Sequence, residues 1–347
     1  MKKDILSLTL QELEVEISSL GEQKFRAKQI FDWLHVKKVG CFSEMSNLSE
    51  QFRQKLTNTF CVKPLIIQKK LVSRHDNTVK YLYRLFDDEK IETVLMQYRH
   101  ANSLCISTQV GCRMNCSFCA SGENGLVRNL EPSEMLMQLY ETERNSGLQV
   151  GSMVLMGIGE PLDNFENVLK FLQILSDKSG RNMSLRHVSL STCGLADKID
   201  ELAKLKLGLT LSVSLHAAND EVRSRILPVN RSYNISRLLA SCKNYFDKTG
   251  RRVSFEYALI KCLNDDLQSA DDLIRLIKPL HAHVNLIPVN STGKSEIFSP
   301  VSTTTKLFHE RLTQGGINAT VRRTLGADIN AACGQLRGAE VEGLSGD

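Results

Sequence analysis

No run of eighteen or more apolar residues occurs anywhere in the 347-residue chain, so no segment is long enough to cross a bilayer as a helix. The opening, Met1-Lys2-Lys3-Asp4-Ile5-Leu6, turns polar too soon for a secretory signal, and a cytoplasmic location is expected. Internal repeats, low-complexity segments and Pro-rich linkers are also missing, which argues against solenoids and tethered arrays. Net charge is small. The 44 Lys and Arg against 39 Asp and Glu leave +5, which permits a nucleic-acid partner without requiring one. Cysteine, by contrast, is plentiful: ten thiols in a chain without a secretion signal read as metal ligands and reactive groups, not as a disulfide framework. The length suits one large α/β domain with a smaller appendage.

Three of the thiols stand in Cys112-Arg113-Met114-Asn115-Cys116-Ser117-Phe118-Cys119, the spacing C-x-x-x-C-x-x-C, just after a short apolar stretch. One tight loop thus offers three ligands and no obvious fourth. A four-iron cluster is normally held by four thiolates, so three leave one iron open to a small molecule. With Phe118 before the last thiol, the pattern C-x-x-x-C-x-Φ-C resembles that of radical S-adenosylmethionine (radical SAM) enzymes. A structural zinc loop is the alternative, but such sites pair C-x-x-C units or add nearby histidines, and neither is present here.

Periodicity divides the chain. Residues 1–60 read as a helical accessory domain: Thr9-Leu10-Gln11-Glu12 forms a capping box, Gly21 is a stop, and further helices run through Phe25 to Leu34 and from Ser49. Residues 61–100 read as a β extension, with Asp87-Asp88 turning a hairpin. From 101 to 321, strand-like runs at 104–107, 152–156, 187–191, 210–215, 253–260 and 283–288 alternate with helical patterns. Six such units predict an α/β fold, a partial (β/α)6 TIM-like barrel with right-handed crossovers. Residues 322–347 form a separate C-terminal segment. In folds of this type ligands gather at the C-terminal ends of the strands, where the three cysteines fall.

Other strand ends carry polar groups. The second ends in Gly157-Ile158-Gly159-Glu160-Pro161, where glycines allow close backbone approach and Glu160 could hold a cationic amine. Such a segment resembles the radical SAM stretch that meets the methionyl amino group. Ser191 in Ser191-Thr192-Cys193-Gly194, Ser214, Leu215 and His216 in the fourth, and Asn290 after the sixth line the same rim. Small hydroxyls there suit a ribose or carboxylate, though each taken alone is more often ordinary strand-end capping. His216 reads as a catalytic acid, a metal ligand, or a histidine that only shapes the pocket. Cys41, Cys61, Cys193, Cys242 and Cys262 read as buried small hydrophobes. Cys333, in Asn330-Ala331-Ala332-Cys333-Gly334-Gln335-Leu336, belongs to no periodic element and follows Arg322-Arg323.

Taken in order, Ala27–Phe31, Ile91-Glu92-Thr93-Val94, the block 105–130, Gly157–Asn164, Ser191–Gly194, Ser212–Ala217 and Asp328–Leu336 resemble the radical SAM RNA adenine C2-methyltransferases of bacteria. Departures at Ala120-Ser121-Gly122 and Ile158 touch no reactive group. The resemblance implies methylation of carbon 2 of an adenosine in 23S ribosomal RNA and in transfer RNA. It implies one 4Fe-4S cluster on Cys112, Cys116 and Cys119, and two molecules of S-adenosylmethionine per turnover, bound by Gly159, Glu160, Ser191, Ser214, Leu215, His216 and Asn290. It also implies three catalytic residues: Cys333 as the methyl acceptor, Glu92 as the base, and Cys105 as the thiol that resolves the protein–RNA link through a Cys105–Cys333 disulfide. An electron donor such as flavodoxin or ferredoxin, and a monomer, complete the expectation. From its sequence alone Glu92 would read as a cross-strand surface charge.

The chemistry has its own logic. The methyl of S-adenosylmethionine is electrophilic, and carbon 2 of adenine, between two ring nitrogens, is electron-poor, so polar transfer lacks a nucleophile. Methylation at carbon 8, a peptide-modifying radical enzyme and a zinc-stabilised RNA-binding module are the alternatives. For RNA contact, the N-terminal Lys28, Lys37 and Lys38 are the expected grip, with an aromatic slot for the extracted base that sequence does not locate.

Overall fold

The computed structural model describes residues 2–280, 282–290 and 297–338. Ten strands form one sheet whose spatial order repeats the order of the chain. They are β1 (Ile66–Val72), β2 (Val79–Arg84), β3 (Lys90–Gln97), β4 (Asn102–Cys105), β5 (Val150–Leu155), β6 (Val188–Thr192), β7 (Thr210–Ser214), β8 (Ser254–Leu259), β9 (His283–Pro288) and β10 (Asn318–Val321). Short turns join β1 to β4, and those pairings are antiparallel. Beyond β4 the connections carry helices, and every pairing is parallel, because a parallel neighbour is reached only by a crossover. Among the described residues β10 and β1 do not pair, so the sheet stays open as a partial barrel.

The six expected barrel strands are present within a few residues of their predicted bounds. A seventh parallel strand, β10, was not among them. Asn318–Val321 is an edge strand with mostly exposed side chains, so it lacks the apolar run that marks its neighbours. Central strands show that run plainly: Leu190, Leu211, Val213 and Phe255 have no exposed surface.

At the N-terminus, Thr9 and Glu12 form the predicted capping box on helix Leu10–Ser19, and Ser49 caps Glu50–Thr59. These helices do not pack alone. Leu13, Ile17, Ile30, Phe31 and Leu34 join the same continuous core as the barrel strands. His35 is buried there with Nδ1 3.0 Å from the Tyr140 hydroxyl, and burial depresses its pKa to about 3. The β extension is likewise continuous with the barrel, since Val94 of β3 pairs with Cys105 of β4.

Candidate active site

After β4 the chain does not pass straight into the thiol loop. It first forms a small hairpin, Gln109–Gly111 against Leu126–Asn129, and the loop hangs between its arms. Gly111 has φ +71°, and a Cβ there would lie 2.0 Å from the Gly125 carbonyl oxygen, so only glycine closes this neck. The Cys112 N–H donates to Gly125 O at 2.8 Å and the Ser117 N–H to Ile226 O at 2.9 Å. The thiols of Cys112, Cys116 and Cys119 then face an open cleft of about 780 Å³ at the C-terminal ends of the parallel strands. Gly159, Glu160, Ser191, Ser214, His216 and Cys333 line the same cleft.

Two side chains that sequence reading passed over hold this rim together. Arg223, with no exposed surface, donates to the carbonyls of Cys193 at 2.8 Å, Ser214 at 3.1 Å and Leu215 at 3.1 Å. One guanidinium thus ties the ends of β6 and β7. Gln109 accepts from the Glu160 N–H at 2.8 Å and donates to Asn129 at 2.8 Å and Asp163 at 3.0 Å, which joins the hairpin to the Gly157–Pro161 turn. Neither residue sits in a local pattern, so the chain offered no signal for them.

Glu160 is buried, and burial raises its pKa, while backbone donors oppose the shift. Its Oε2 accepts from the Cys193 N–H at 2.7 Å and its Oε1 from the Leu162 N–H at 3.0 Å. His216, at φ +56°, accepts the Ala258 N–H on Nδ1 at 2.9 Å, so the ring proton sits on Nε2. Burial depresses its pKa to about 3, and Phe118 meets it edge-on at 4.9 Å. A neutral donor that shapes the pocket fits these facts, whereas a proton-releasing acid does not. Leu215 has its side chain in the core, so only its backbone borders the rim. Asn290 stands to one side and donates to Cys333 O at 3.1 Å.

The segment carrying Cys333 is docked onto the thiol loop: the Ala120 N–H donates to Gly334 O at 2.8 Å, and Ser121 Oγ to Leu336 O at 2.8 Å. Cys105 lies behind this segment, packed with Ile329, Ala331 and Leu336, and burial pushes its thiol up to about 12. Both thiols are free. Glu92 is not a surface charge. It is buried, pairs with buried Lys80 at 2.8 Å, and accepts the backbone N–H of Arg337 at 2.6 Å and Gly338 at 3.1 Å. Register explains the pair: Leu82 lies opposite Glu92 and Lys80 opposite Val94, so the two charges are diagonal neighbours on one face. Glu92, Cys105, Leu215 and Asn290 therefore surround the cleft without lining it, and residues 339–347 of the C-terminal segment lie outside the described residues.

The remaining cysteines divide. Cys242 is buried core as expected, but Cys41 and Cys262 are exposed, Cys61 is half-buried, and Cys193 is buried yet lines the cleft. Exposure follows from position: Cys262 follows β8 in a turn at φ +59°, outside any apolar face. Of the N-terminal cations, Lys38 is paired with Glu143 at 2.5 Å, Lys37 lies 3.5 Å over the Trp33 ring, and Lys28 is exposed.

Burial raises the pKa of Cys112 and Cys116, so their thiolates need a cationic partner that outweighs desolvation. A four-iron cluster takes one thiolate per iron and fits three thiols spread around a loop.

Residues 3–62 match the family described as ribosomal RNA large subunit methyltransferase N-terminal domain, and residues 106–274 match the radical SAM superfamily. A probable dual-specificity RNA methyltransferase RlmN from Lachnospira eligens is 46% identical over 98% of this chain and 97% of its own. The protein of the same description from Lachnoclostridium phytofermentans is 48% identical over 97% and 94%. A radical SAM methyltransferase from Sphaerobacter thermophilus superposes with a TM-score of 0.93 at 40% identity, covering 97% of this chain and all of that one. With identity of this order along nearly the whole length and the three-thiol cleft in place, the chain is an enzyme that belongs to the RlmN family of radical SAM RNA methyltransferases.

Proposed function

We propose that this enzyme methylates carbon 2 of an adenosine in 23S ribosomal RNA and in transfer RNA, through an S-methylcysteine at Cys333. The observation that carries the reading is the docking of the Cys333 segment on the thiol loop, with Cys333 on the wall of the cleft that Cys112, Cys116 and Cys119 also line. Cys112, Cys116 and Cys119 would hold the cluster, and Glu160 with the β6 and β7 rim would hold S-adenosylmethionine. When bound, that pair supplies a hydrogen-abstracting 5′-deoxyadenosyl radical. Cys333 acts earlier, as a thiolate that takes the methyl of one S-adenosylmethionine. Arg322 lines the cleft together with Cys333. Once the methylene carbon is joined to adenine, Glu92 accepts the ring proton while the odd electron would return to the cluster. Cys105 then attacks the Cys333 sulfur, an S–S bond forming as the S–C bond breaks. The freed carbon takes up a proton to become methyl, and a reductant must reopen the disulfide before the next turnover.

In the docked arrangement both Glu92 oxygens are engaged, so its action as a base is coupled to release of the Arg337 and Gly338 backbone. The reading also takes two S-adenosylmethionine molecules per turnover, a flavodoxin- or ferredoxin-type reductant, a cytoplasmic setting and a monomer. Mass analysis of RNA from cells with and without the protein tests it. 2-Methyladenosine that depends on the protein is expected in both RNAs. 8-Methyladenosine in the ribosomal RNA instead would replace this reading with the carbon-8 one.

Glu160→Gln is the better probe of the cofactor contact, because its amide oxygen can keep one of the two N–H donors of Cys193 and Leu162, whereas Glu160→Ala strands both. Losing one charge-assisted contact is expected to weaken S-adenosylmethionine binding about 10- to 100-fold, with iron content unchanged. Equilibrium dialysis against the labelled cofactor measures it. Unaltered affinity would remove Glu160 from the site.

A further inference from the structure

A shallow surface groove runs off the cleft and shares Ile287, Arg322 and Cys333 with it. Tyr98 and Arg323 line the groove but not the cleft, and nothing described so far employs them. Tyr98 follows β3 and closes a tight turn onto β4: its N–H donates to Ala101 O at 3.2 Å, with Arg99 and His100 exposed at the tip. The ring is 49% exposed, which is unusual for an aromatic beside a reactive centre. Its hydroxyl rests 3.6 Å from Met96 Sδ, and the phenol lies within electrostatic reach of Arg322, Arg323, Cys333 and Cys105. Tyr98 and Cys333 thus line one groove.

Other rings do not compete for the role. Phe86 is covered by the cations of Lys63 and Arg128, and Phe118 is engaged edge-on with His216. Phe25 and Phe298 are exposed but border neither the cleft nor the groove. Among the described residues Tyr98 is the only aromatic in the groove lining.

We propose that this groove receives the target nucleobase, with Tyr98 as its stacking surface and Arg323 and Arg99 as contacts for the flanking phosphates. The inference rests on the RNA reading above. A base must leave its stack to be modified, and an aromatic face replaces the stacking it gives up. Arg99, next to Tyr98 in the turn, and Arg323, in the groove lining, are both exposed and supply the charge that holds the backbone while the base is out. Cys333, on the wall common to groove and cleft, stands where a stacked base would meet the methyl it carries.

The test uses the full-length holoenzyme and an RNA hairpin substrate, either native or with 2-aminopurine replacing the target adenosine. Extrusion alone brightens 2-aminopurine, and stacking on a ring quenches it. The wild type and Tyr98→Phe should give the same quenched signal on binding. Tyr98→Leu should give a bright one and raise the KM for the native hairpin roughly 5- to 150-fold, the worth of one base–aromatic stack. Iron content and thermal melting establish that each variant is folded and loaded. A quenched signal with unchanged KM in Tyr98→Leu overturns the slot while leaving the RNA reading standing. A wild type that neither binds nor methylates the hairpin overturns that reading, and the slot with it.

Discussion

The Cys116→Ala protein is expected to contain no iron or acid-labile sulfide after anaerobic purification and to show no methylation, a loss on the order of 10⁶-fold or more. The size follows from the site. Three thiols are all that the loop offers, and the other cysteines of the cleft, Cys193 and Cys333, belong to different loops. The loop itself should survive the change. Its shape rests on backbone bonds from Cys112 to Gly125 and from Ser117 to Ile226, and Cys116 contributes its carbonyl to Cys119, which alanine retains. Thermal melting of the variant should therefore stay close to that of the metal-free wild type. Turnover by Cys116→Ala, or zinc with no iron in the wild type, would overturn the cluster assignment.

The thiol loop was legible because its chemistry is local: three ligands within eight residues announce themselves whatever the fold around them. Capping at Thr9 and Ser49 was readable for the same reason, and so were the apolar runs of the buried parallel strands. What escaped depends on groups that meet only after folding. Arg223 looks like a surface cation on a short helix until the ends of β6 and β7 close around it. Glu92 looks like a strand-face charge until the β2–β3 register sets Lys80 beside it and the C-terminal segment covers both. Edge strand β10 escaped because exposure removed its hydrophobic signature.

Glu92 and Lys80 also explain how the Cys333 segment, which has little regular structure, stays in place. Lys80 Nζ donates to Asn330 O at 3.1 Å, Glu92 receives Arg337 and Gly338, and Asn290 holds the Cys333 carbonyl between those anchors. The buried pair is thus spent on backbone groups that would otherwise need water. An arrangement of this kind fixes Cys333 against the thiol loop through contacts on the far side of the cleft wall, leaving the cleft itself free for the cofactor.

Cys105 and Cys333 are expected to fail in opposite ways, and the contrast is the largest effect open to direct observation. Cys333→Ala lacks the thiolate that takes the first methyl, so no covalent protein–RNA species should form. Cys105→Ala can take the methyl and pass it to adenine, but lacks the thiol that cuts the link, so the adduct should accumulate to nearly one per active enzyme. Structure makes the comparison fair. Cys105 packs against Ile329, Ala331 and Leu336 under the segment, whereas Cys333 is half-buried on the cleft side. If both thiols only filled space, each variant would lose stability by about 1–3 kcal/mol and neither would trap RNA. A denaturing gel after incubation with RNA, S-adenosylmethionine and reductant separates the outcomes, with iron content confirming that both variants carry the cluster. An adduct in Cys333→Ala would remove it as the methyl acceptor. None in cluster-loaded Cys105→Ala would remove Cys105 as the resolving thiol, because a link that nothing else cuts must persist.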